Sequence, residues 1–530
     1  MTAFSYDMPY PAARPPVMGR NMVATSQPLA AQAGLRMLLQ GGNAVDAALA
    51  TAMTLTVVEP TGNGLGSDAF AIVWDGAELH GLNASGRSPA AWTPERFAGL
   101  RAMPARGWES VTVPGVVSAW VALSERFGRL PFAALCEPAI AYAREGFPVS
   151  PTIARLWGKG AELLKGQPGF AEHFMPEGRT PQAGEIFRSE VLAHSLELIA
   201  ASRGEAFYKG ELAERIAASA REHGAALSVA DLAAHESDWC GTISTRSQGC
   251  DVHEIPPNGQ GIAALMALGI LEHCDLAELE PDSAAAIHLQ IEAMKLAFSD
   301  VERTVADPAH MRLRTEALLD QDYLRRRAAT IDPRRAAVPT AGAPAHGGTV
   351  YLAAADAGGM MVSFIQSNYA GFGSGVVVPG TGIHLQNRGF GFTLEPGHPN
   401  RVGPRKRPFH TIIPGFALRG GVPLMSFGVM GGPMQAQGHV QMVLRTQLWA
   451  QNPQAASDAP RWRVTSGRRV AVEWGMPEPV VAALRDLGHE VTREAPDNAF
   501  GFGGAQLIHR LPDGYVGGSD HREDGGVVAF

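Results

Sequence analysis

The hydrophobic pattern near the start of the chain predicts two consecutive helices. Apolar residues recur between positions 29 and 38 and stop at a Gly-Gly pair, 41–42. Ser26 is the expected cap of the first helix, because a hydroxyl precedes the proline at position 28. Asn43 is the expected cap of the second, with Asp46 three residues further on. Residues 44–55 are apolar on nearly all sides, so the second helix is predicted to be buried.

The pattern then changes along the chain from mainly helical to mainly strand. A glycine-rich loop, TGNGLGSD (61–68), leads into a strand, AFAIVW. Residues 115–330 are mostly helical in pattern; the strongest stretch spans 284–305 and has His288, Glu292 and Lys295 along its polar side. From Thr349 onward, short strands alternate with glycine turns, and helices interrupt them near 433–450 and 477–487. Helices outside and antiparallel strands inside predict a layered α/β sandwich completed by the second half of the chain.

One junction between a loose segment and a predicted strand suggests a catalytic residue. A loose Ala/Pro/Gly stretch, AAVPTAGAPAHGG (336–348), runs directly into Thr349, where a buried hairpin is predicted to begin. Strand propensity alone can explain a β-branched residue at the start of a strand, without any catalytic role. However, weakly structured chain beside a buried strand is a natural place for backbone cleavage. Cleavage after Gly348 would give Thr349 a free α-amine with a pKa of about 7.7–8.0, which can activate the hydroxyl of the same residue.

Composition and charge argue against several classes of protein, including nucleic-acid-binding and membrane proteins. The 530 residues are 45% hydrophobic, and 44 Lys+Arg against 52 Asp+Glu give a net charge of −8. There is no long basic run, so a nucleic-acid partner is not expected. The four scattered cysteines indicate reduced thiols and a cytoplasmic location. The N-terminus lacks the features of a secretory signal, and no apolar run is long enough for a membrane span.

Other catalytic motifs are absent from the sequence. The GNGLGS loop ends in Ser67 where a dinucleotide fingerprint needs glycine, and it precedes a strand instead of following one. Ser374 lies between two glycines but lacks the spacing of a nucleophile elbow. No phosphate-binding loop of the Walker type occurs, and the 17 histidines are dispersed. No cofactor and no metal are therefore expected.

Ten separated motifs resemble those of the γ-glutamyltranspeptidase family of N-terminal nucleophile hydrolases, from about Met22 to the C-terminus. They are GGNAVDAALA (41–50), VTVPGVVSAW (111–120), PPNGQGIA (256–263), HLQIEAMKLAFSD (288–300), GTVYLAAAD (348–356), GFGSGV (371–376), KRPFHTIIP (406–414), GVMGGP (428–433), APRWR (459–463) and GGSDHREDG (517–525). The resemblance implies one large domain, a four-layer αββα sandwich. It also implies a precursor that cuts itself into a large chain, 1–348, and a small chain, 349–530.

The same resemblance assigns catalytic roles. Thr349 matches the nucleophile, and the cut falls between Gly348 and Thr349. Ser367 stands where the family has a threonine whose hydroxyl hydrogen-bonds the nucleophile. Gly431 and Gly432 match the glycine pair whose N–H groups form the oxyanion hole, and such donors stabilise a tetrahedral intermediate by about 2.7–4 kcal/mol each.

Residues of the substrate pocket depart from the family's γ-glutamyl site. Tyr369, Arg388, Gly391 and the pair His410-Thr411 replace its Asn, Gln, Asp and Ser-Ser, so the acidic partner of a substrate ammonium is missing. Arg87 lies near the loop of the family's large-chain arginine but is displaced by about two residues. The segment that follows Arg388 also looks short for the lid loop of many transpeptidases. These differences resemble the amidase branch, which includes oxamate amidohydrolases and cephalosporin acylases.

The sequence therefore predicts an amide hydrolase for carboxylate-bearing amides without an α-amine, such as oxamate or glutaryl amides. Arg388 and protonated His410 would add donors for that carboxylate, and Tyr369 would fill volume. A structural role for Arg388 and His410, facing away from the pocket, is the alternative. Two other functions stay open: a true γ-glutamyl hydrolase or transpeptidase acting on glutathione, and a non-catalytic binding relative. The expected partners are a small-molecule amide and the chain's own second fragment, and a dimer of such heterodimers is an assembly left open.

Overall fold

The structure is a computed structural model that describes residues 14–338, 348–495 and 501–530. Within those ranges it contains two seven-stranded sheets, called sheet I and sheet II here, with strands numbered along the chain. Sheet I has the order β1 (Val17–Gly19), β18 (Gly514–Ser519), β17 (Ala505–Leu511), β13 (Val422–Val429), β12 (Gly415–Arg419), β9 (Cys250–Glu254) and β8 (Ile243–Ser247). Sheet II has the order β19 (Gly526–Ala529), β2 (Met22–Thr25), β10 (Gly348–Ala355), β11 (Met361–Tyr369), β3 (Asp68–Trp74), β4 (Leu79–Asn83) and β7 (Asp238–Trp239). All pairs in both sheets are antiparallel.

Two smaller sheets and the helices complete the described part of the chain. The small sheets comprise β5 (Phe147–Pro148) with β6 (Ile186–Phe187), and β14 (Trp462–Ser466) with β15 (Arg469–Glu473) and β16 (Glu490–Glu494). The first-half helices are α1 (Pro28–Leu39), α2 (Ala44–Val58), α3 (Val116–Phe127), α4 (Phe132–Glu145), α5 (Pro151–Leu164), α6 (Phe170–Phe174), α7 (Glu190–Ser202), α8 (Glu205–Tyr208), α9 (Glu211–Glu222) and α10 (Val229–Ala233). The others are α11 (Gly261–Leu271), α12 (Ala284–Thr304), α13 (Thr315–Leu318), α14 (Gln321–Ala328), α15 (Met434–Val443), α16 (Pro453–Asp458) and α17 (Glu478–Asp486).

The alternation of side chains along β10 shows how the core is divided. Tyr351 and Ala353 belong to a buried cluster that also contains Phe416 and Ile508 of sheet I. Leu352, on the opposite face, belongs to a second cluster with residues of helices α1 to α9. A third cluster joins the strands of sheet I to α11, α12, α15 and α17. Since neighbouring residues of a strand face opposite sides, β10 and β11 are buried on both faces.

The two N-terminal helices occur as predicted, with one correction at the first cap. The cap is Gln27, whose side-chain oxygen accepts from the N–H groups of Leu29 and Ala30. The hydroxyl of Ser26 is directed elsewhere and donates to Glu59 at 2.6 Å. The second helix has the predicted capping box at Asn43, and every residue of it is buried.

Two further elements have features that the prediction did not specify. The polar side of α12 is buried: Lys295 Nζ lies 2.7 Å from Glu292 Oε1, and His288 Nδ1 lies 2.8 Å from His489 Nε2. Pairing between these groups is what permits their burial. The predicted helix near 433–450 comprises α15 and a π turn, Leu444–Leu448, and α16 was not predicted. Residues 339–347 of the predicted loose stretch lie outside the described residues.

No helix in the described ranges is both long enough and apolar enough to cross a membrane.

Candidate active site

Thr349 lies at an irregularity at the start of the central hairpin. Gly348 pairs with Tyr369, and Val350 pairs with Gln366. Between these two pairs lie one residue of β10 and two residues of β11, which is the pattern of a β-bulge. The bulge brings Ser367 opposite Thr349. The Thr349 hydroxyl donates to Ser367 Oγ at 3.1 Å, and both side chains are fully buried.

The hydroxyl of Ser367 is itself oriented by the backbone. Ser367 Oγ accepts a second hydrogen bond from the N–H of Tyr369, at 2.7 Å. The bond returns to the same strand two residues further on, where Tyr369 has a φ of 77°. A tyrosine in this left-handed region is uncommon and carries a conformational cost. The bend is therefore part of how the hairpin places Ser367 beside Thr349.

A second polar side chain reaches Thr349 from the first turn of α15. Gln435 Nε2 donates to Thr349 Oγ1 at 3.3 Å. Its Oε1 accepts from the N–H of Ile413 at 3.0 Å, which fixes the orientation of the amide. Gln435 is fully buried. The sequence-based prediction did not include this residue.

Gly431 and Gly432 form the turn before α15. Their φ values of 121° and 61° lie in the region that favours glycine. Their carbonyl groups accept from Met434 and Gln435, so the helix begins directly at this turn. Neither of the two N–H groups donates a hydrogen bond to a described residue. N–H groups at a helix start are suited to binding negative charge.

Arg388 is a fully buried cation of this region. Its Nη1 donates to Thr411 Oγ1 at 2.8 Å, and its guanidinium carbon lies 4.8 Å from the centre of the Tyr369 ring. Its Nε and Nη2 have no hydrogen-bond partner among the described residues. Burial lowers the pKa of Arg388 to about 10, while Asp68 raises it, so the side chain stays positive at neutral pH. Unpartnered donors on a buried cation indicate a place for an anionic group.

Asp68 and His410 form a second buried polar pair, which the sequence-based prediction did not recognise as a unit. Asp68 pairs with Ser367 across β3 and β11. Its Oδ2 lies 3.1 Å from His410 Nε2, and its Oδ1 accepts from the N–H groups of Gly86 and Gly115. Burial raises the pKa of Asp68 to about 7, although Arg388 and the two N–H groups lower it.

His410 differs from the expectation that its protonated ring binds a substrate carboxylate. Burial lowers its pKa well below the ordinary value, and the charges of Arg388 and Arg407 lower it further. Its Nδ1 accepts from the N–H of Ile412 at 3.3 Å, so Nε2 carries the proton that faces Asp68. Both ring nitrogens are thus used within the protein.

Arg87 also differs from its predicted role. Its guanidinium is about half exposed and pairs with Asp307 at 3.1 Å. A weaker bond, 3.4 Å long, reaches the carbonyl of Arg405. The structure therefore gives Arg87 a half-exposed ion pair with the buried Asp307, and its side chain forms no hydrogen bond to Thr349, Arg388 or Tyr369.

Gly391 has no space for a larger residue. A Cβ atom added there would lie 2.6 Å from the carbonyl oxygen of Phe409. The carbonyl of Gly391 itself accepts from Asn400 Nδ2 at 2.7 Å. The backbone path thus excludes the acidic side chain that the family's γ-glutamyl site carries at the matching position.

Nearly the whole chain is similar to known proteins. The family model of gamma-glutamyltranspeptidase matches residues 30–530. The chain belongs to this family. It is 38% identical to the glutathione hydrolase-like YwrD proenzyme of Bacillus subtilis over 520 residues, covering 96% of this chain and 98% of the relative. It is 36% identical to the oxamate amidohydrolase proenzyme of Klebsiella pneumoniae over 527 residues, covering 97% and 99%.

A solved structure supports the same relationship. The crystal structure of cephalosporin acylase from Bacillus halodurans superposes with a TM-score of 0.96 and 47% identity, covering 100% of this chain and 99% of the acylase. The relatives named here are hydrolases and acylases, and like them this family member is an enzyme. The predicted family is confirmed, and so is an α/β fold with antiparallel sheets.

Local sequence signals could have found part of what was missed in this family member. Asp68 closes the glycine-rich loop and opens an otherwise apolar strand, which is unusual for an ionisable residue. Gln435 is one of four polar residues, with Gln437, His439 and Gln441, in a helix that is buried at every position. Neither signal indicates which other side chain the residue contacts, since those contacts join distant segments.

Proposed function

We propose that this enzyme is an autoprocessing amide hydrolase with Thr349 as its nucleophile. The observation that carries the proposal is the buried Thr349 hydroxyl, which is hydrogen-bonded to Ser367 and Gln435 at the β-bulge near the start of β10. The alternative reading, a threonine that merely opens a strand, does not account for two converging polar side chains. The names of relatives as proenzymes also support self-cleavage.

Processing would begin with attack of Thr349 Oγ on the carbonyl carbon of Gly348. The C–N bond of that peptide breaks, an ester to Thr349 Oγ forms, and the nitrogen takes a proton to become the α-amine of Thr349. Water then hydrolyses the ester and leaves a carboxylate on Gly348. The products are fragments 1–348 and 349–530.

The two fragments would stay together after cleavage. In sheet II, β10 of the small fragment lies between β2 of the large fragment and β11 of its own. The three buried clusters also contain residues of both fragments. The order of helices, sheet, sheet and helices in these clusters supports the four-layer αββα sandwich. A dimer of such heterodimers and a cytoplasmic location remain predictions.

Turnover would use the amine that cleavage releases. With a pKa of about 7.7–8.0, this amine can accept the hydroxyl proton at neutral pH. Thr349 Oγ then attacks the substrate amide, the amide C–N bond breaks, and the α-amine passes its proton to the leaving amine. Water hydrolyses the acyl-enzyme ester, which releases the acid and restores the Thr349 hydroxyl. The N–H groups of Gly431 and Gly432 would bind the oxyanion of both tetrahedral intermediates.

The proposed substrates are amides whose acyl part carries a carboxylate but no α-amine. Arg388 supports the carboxylate, because two of its nitrogens lack partners within the described residues. Gly391 supports the absence of an α-amine from the substrate, since no acidic side chain that could pair with an ammonium fits at this position. A γ-glutamyl substrate would leave its ammonium without that partner, which is costly in a buried site. Action on glutathione is therefore the second candidate, and a non-catalytic relative is disfavoured by the enzyme relatives.

A denaturing gel of the purified protein tests the proposal directly. We expect two bands whose masses add up to the 56.1 kDa chain. Mass spectrometry should place the new N-terminus at Thr349. A single intact chain that nevertheless hydrolyses amides would contradict the proposal.

Ser367→Ala should slow both maturation and turnover without unfolding the protein. It removes one hydrogen bond at the nucleophile, worth about 0.5–1.5 kcal/mol, so each rate should fall by up to about tenfold. Ser363→Ala is the matched control, because Ser363 is equally buried on β11 but bonds to Tyr351 and Phe427 instead. Equal effects of the two substitutions would reduce Ser367 to a structural residue.

A further inference from the structure

We infer that Gln435 is a further active-site residue, which sets the direction in which Thr349 attacks. This inference rests on Thr349 being the nucleophile. It starts from the contacts of the hydroxyl oxygen. Apart from its bond to Cβ, a hydroxyl oxygen has one hydrogen and two lone pairs in roughly tetrahedral directions. The hydrogen goes to Ser367, and one lone pair accepts from Gln435 Nε2 at 3.3 Å. Only one lone pair then remains for attack on a carbonyl carbon.

The donor is held firmly because its amide cannot turn over. Gln435 Oε1 accepts from the N–H of Ile413 at 3.0 Å. Exchanging the oxygen and nitrogen would place two donors face to face, so Nε2 must point to Thr349. The backbone N–H of Gln435 donates to the carbonyl of Gly432, at 3.1 Å. One residue therefore connects the nucleophile to the turn of the proposed oxyanion hole.

The same amide also connects the nucleophile to the residues around Arg388. Ile413 lies two residues after Thr411, whose hydroxyl accepts from Arg388. Gln260 Nε2 donates both to the carbonyl of Thr411 at 2.5 Å and to the carbonyl of Gly432 at 2.8 Å. These buried bonds fix the spacing between the proposed carboxylate-binding cation and Thr349. Orientation of reacting atoms is a large part of catalysis, and a displacement of about 1 Å can cost roughly 100-fold.

Gln435 also stabilises the oxygen during the reaction. As Thr349 Oγ loses its proton, negative charge develops on it, and a fixed N–H donor favours that charge. The residue acts in the same way during processing and during turnover, since the same oxygen attacks in both. Both ends of its amide are bonded to Ile413 and Thr349, and neither is bonded to Arg388, the proposed carboxylate-binding residue, so substrate affinity is expected to depend little on it.

The first test replaces the amide by a side chain of similar length without a donor. Gln435→Met should lower kcat by about 10- to 100-fold and leave KM within about threefold, and it should slow processing to a similar degree. Gln441→Met is the matched control on the same helix. Gln441 is also buried, but its amide donates to the carbonyls of Gln437 and Trp462. The control should process and turn over normally once it is folded.

The second test uses pH to separate a donor role from a structural one. In Gln435→Glu, one carboxyl oxygen can still accept from Ile413, while the other can donate to Thr349 only when protonated. The processing rate of this variant, divided by the wild-type rate at the same pH, should therefore rise as pH falls from about 8 to 5. The α-amine of Thr349 is free only after cleavage, so its titration does not affect this ratio of processing rates.

The outcomes distinguish this inference from the proposed function. If Gln435→Met and Gln441→Met behave alike, or if the Gln435→Glu ratio is independent of pH, Gln435 is structural and Thr349 remains the proposed nucleophile. If Thr349→Ala still undergoes processing and hydrolyses amides, Thr349 is not the nucleophile, and the proposed function is contradicted together with this inference.

Discussion

Thr349→Ala is expected to remain a single 56.1 kDa chain and to lose amide turnover by at least about 10⁴-fold. The substitution removes the oxygen that forms the ester during processing and the acyl-enzyme during turnover. The fold should persist, because Ser367 and Gln435 lose only one partner each. A gel and an assay for released ammonia or amine measure the two effects.

Thr349→Ser is the matched variant, since it keeps the hydroxyl and the potential α-amine. It should process more slowly but reach measurable activity. Circular dichroism of both variants separates a lost nucleophile from a lost fold. Normal cleavage in Thr349→Ala would show that another residue is the nucleophile.

The second large effect concerns the choice of substrate. A glutaryl anilide or oxamate should be preferred over the matched γ-glutamyl anilide by tenfold or more in kcat/KM. Arg388→Met should lower kcat/KM for the carboxylate-bearing substrates by at least about 30-fold, because removing a buried charge partner costs about 2–5 kcal/mol. The loss should fall mainly on KM if Arg388 binds the ground state and the transition state equally.

Arg87→Met provides the control for this prediction. Arg87 was a candidate for the same role, but its half-exposed guanidinium pairs with the buried Asp307. Its replacement should change kcat/KM by less than about threefold, because the side chain of Arg87 forms no hydrogen bond to Thr349 or Arg388. A preference for the γ-glutamyl anilide, accelerated by glycylglycine, would make this enzyme an ordinary transpeptidase. A large effect of Arg87→Met without one of Arg388→Met would move the carboxylate site to Arg87.

Local patterns in the sequence determined much of the fold. The capping box at Asn43, the buried second helix and the hairpin that follows Gly348 depend on contacts between neighbours in sequence, so periodicity and turn residues predict them. The family motifs added Thr349, Ser367 and the glycine pair at 431–432. These short segments carry their signal in adjacent residues, which is why they could be recognised without coordinates.

Only the tertiary structure decided which of the remaining polar residues meet. Gln435 reaches Thr349 across 86 positions of sequence, and His410 reaches Asp68 across 342. Arg388 and His410 looked equivalent in the sequence, yet burial and the charges of Arg388 and Arg407 lower the pKa of His410 well below its ordinary value, while Nε and Nη2 of Arg388 have no partner among the described residues. The physical reason is that hydrogen-bond partners and desolvation depend on the packing of distant segments, which the local order of residues does not specify.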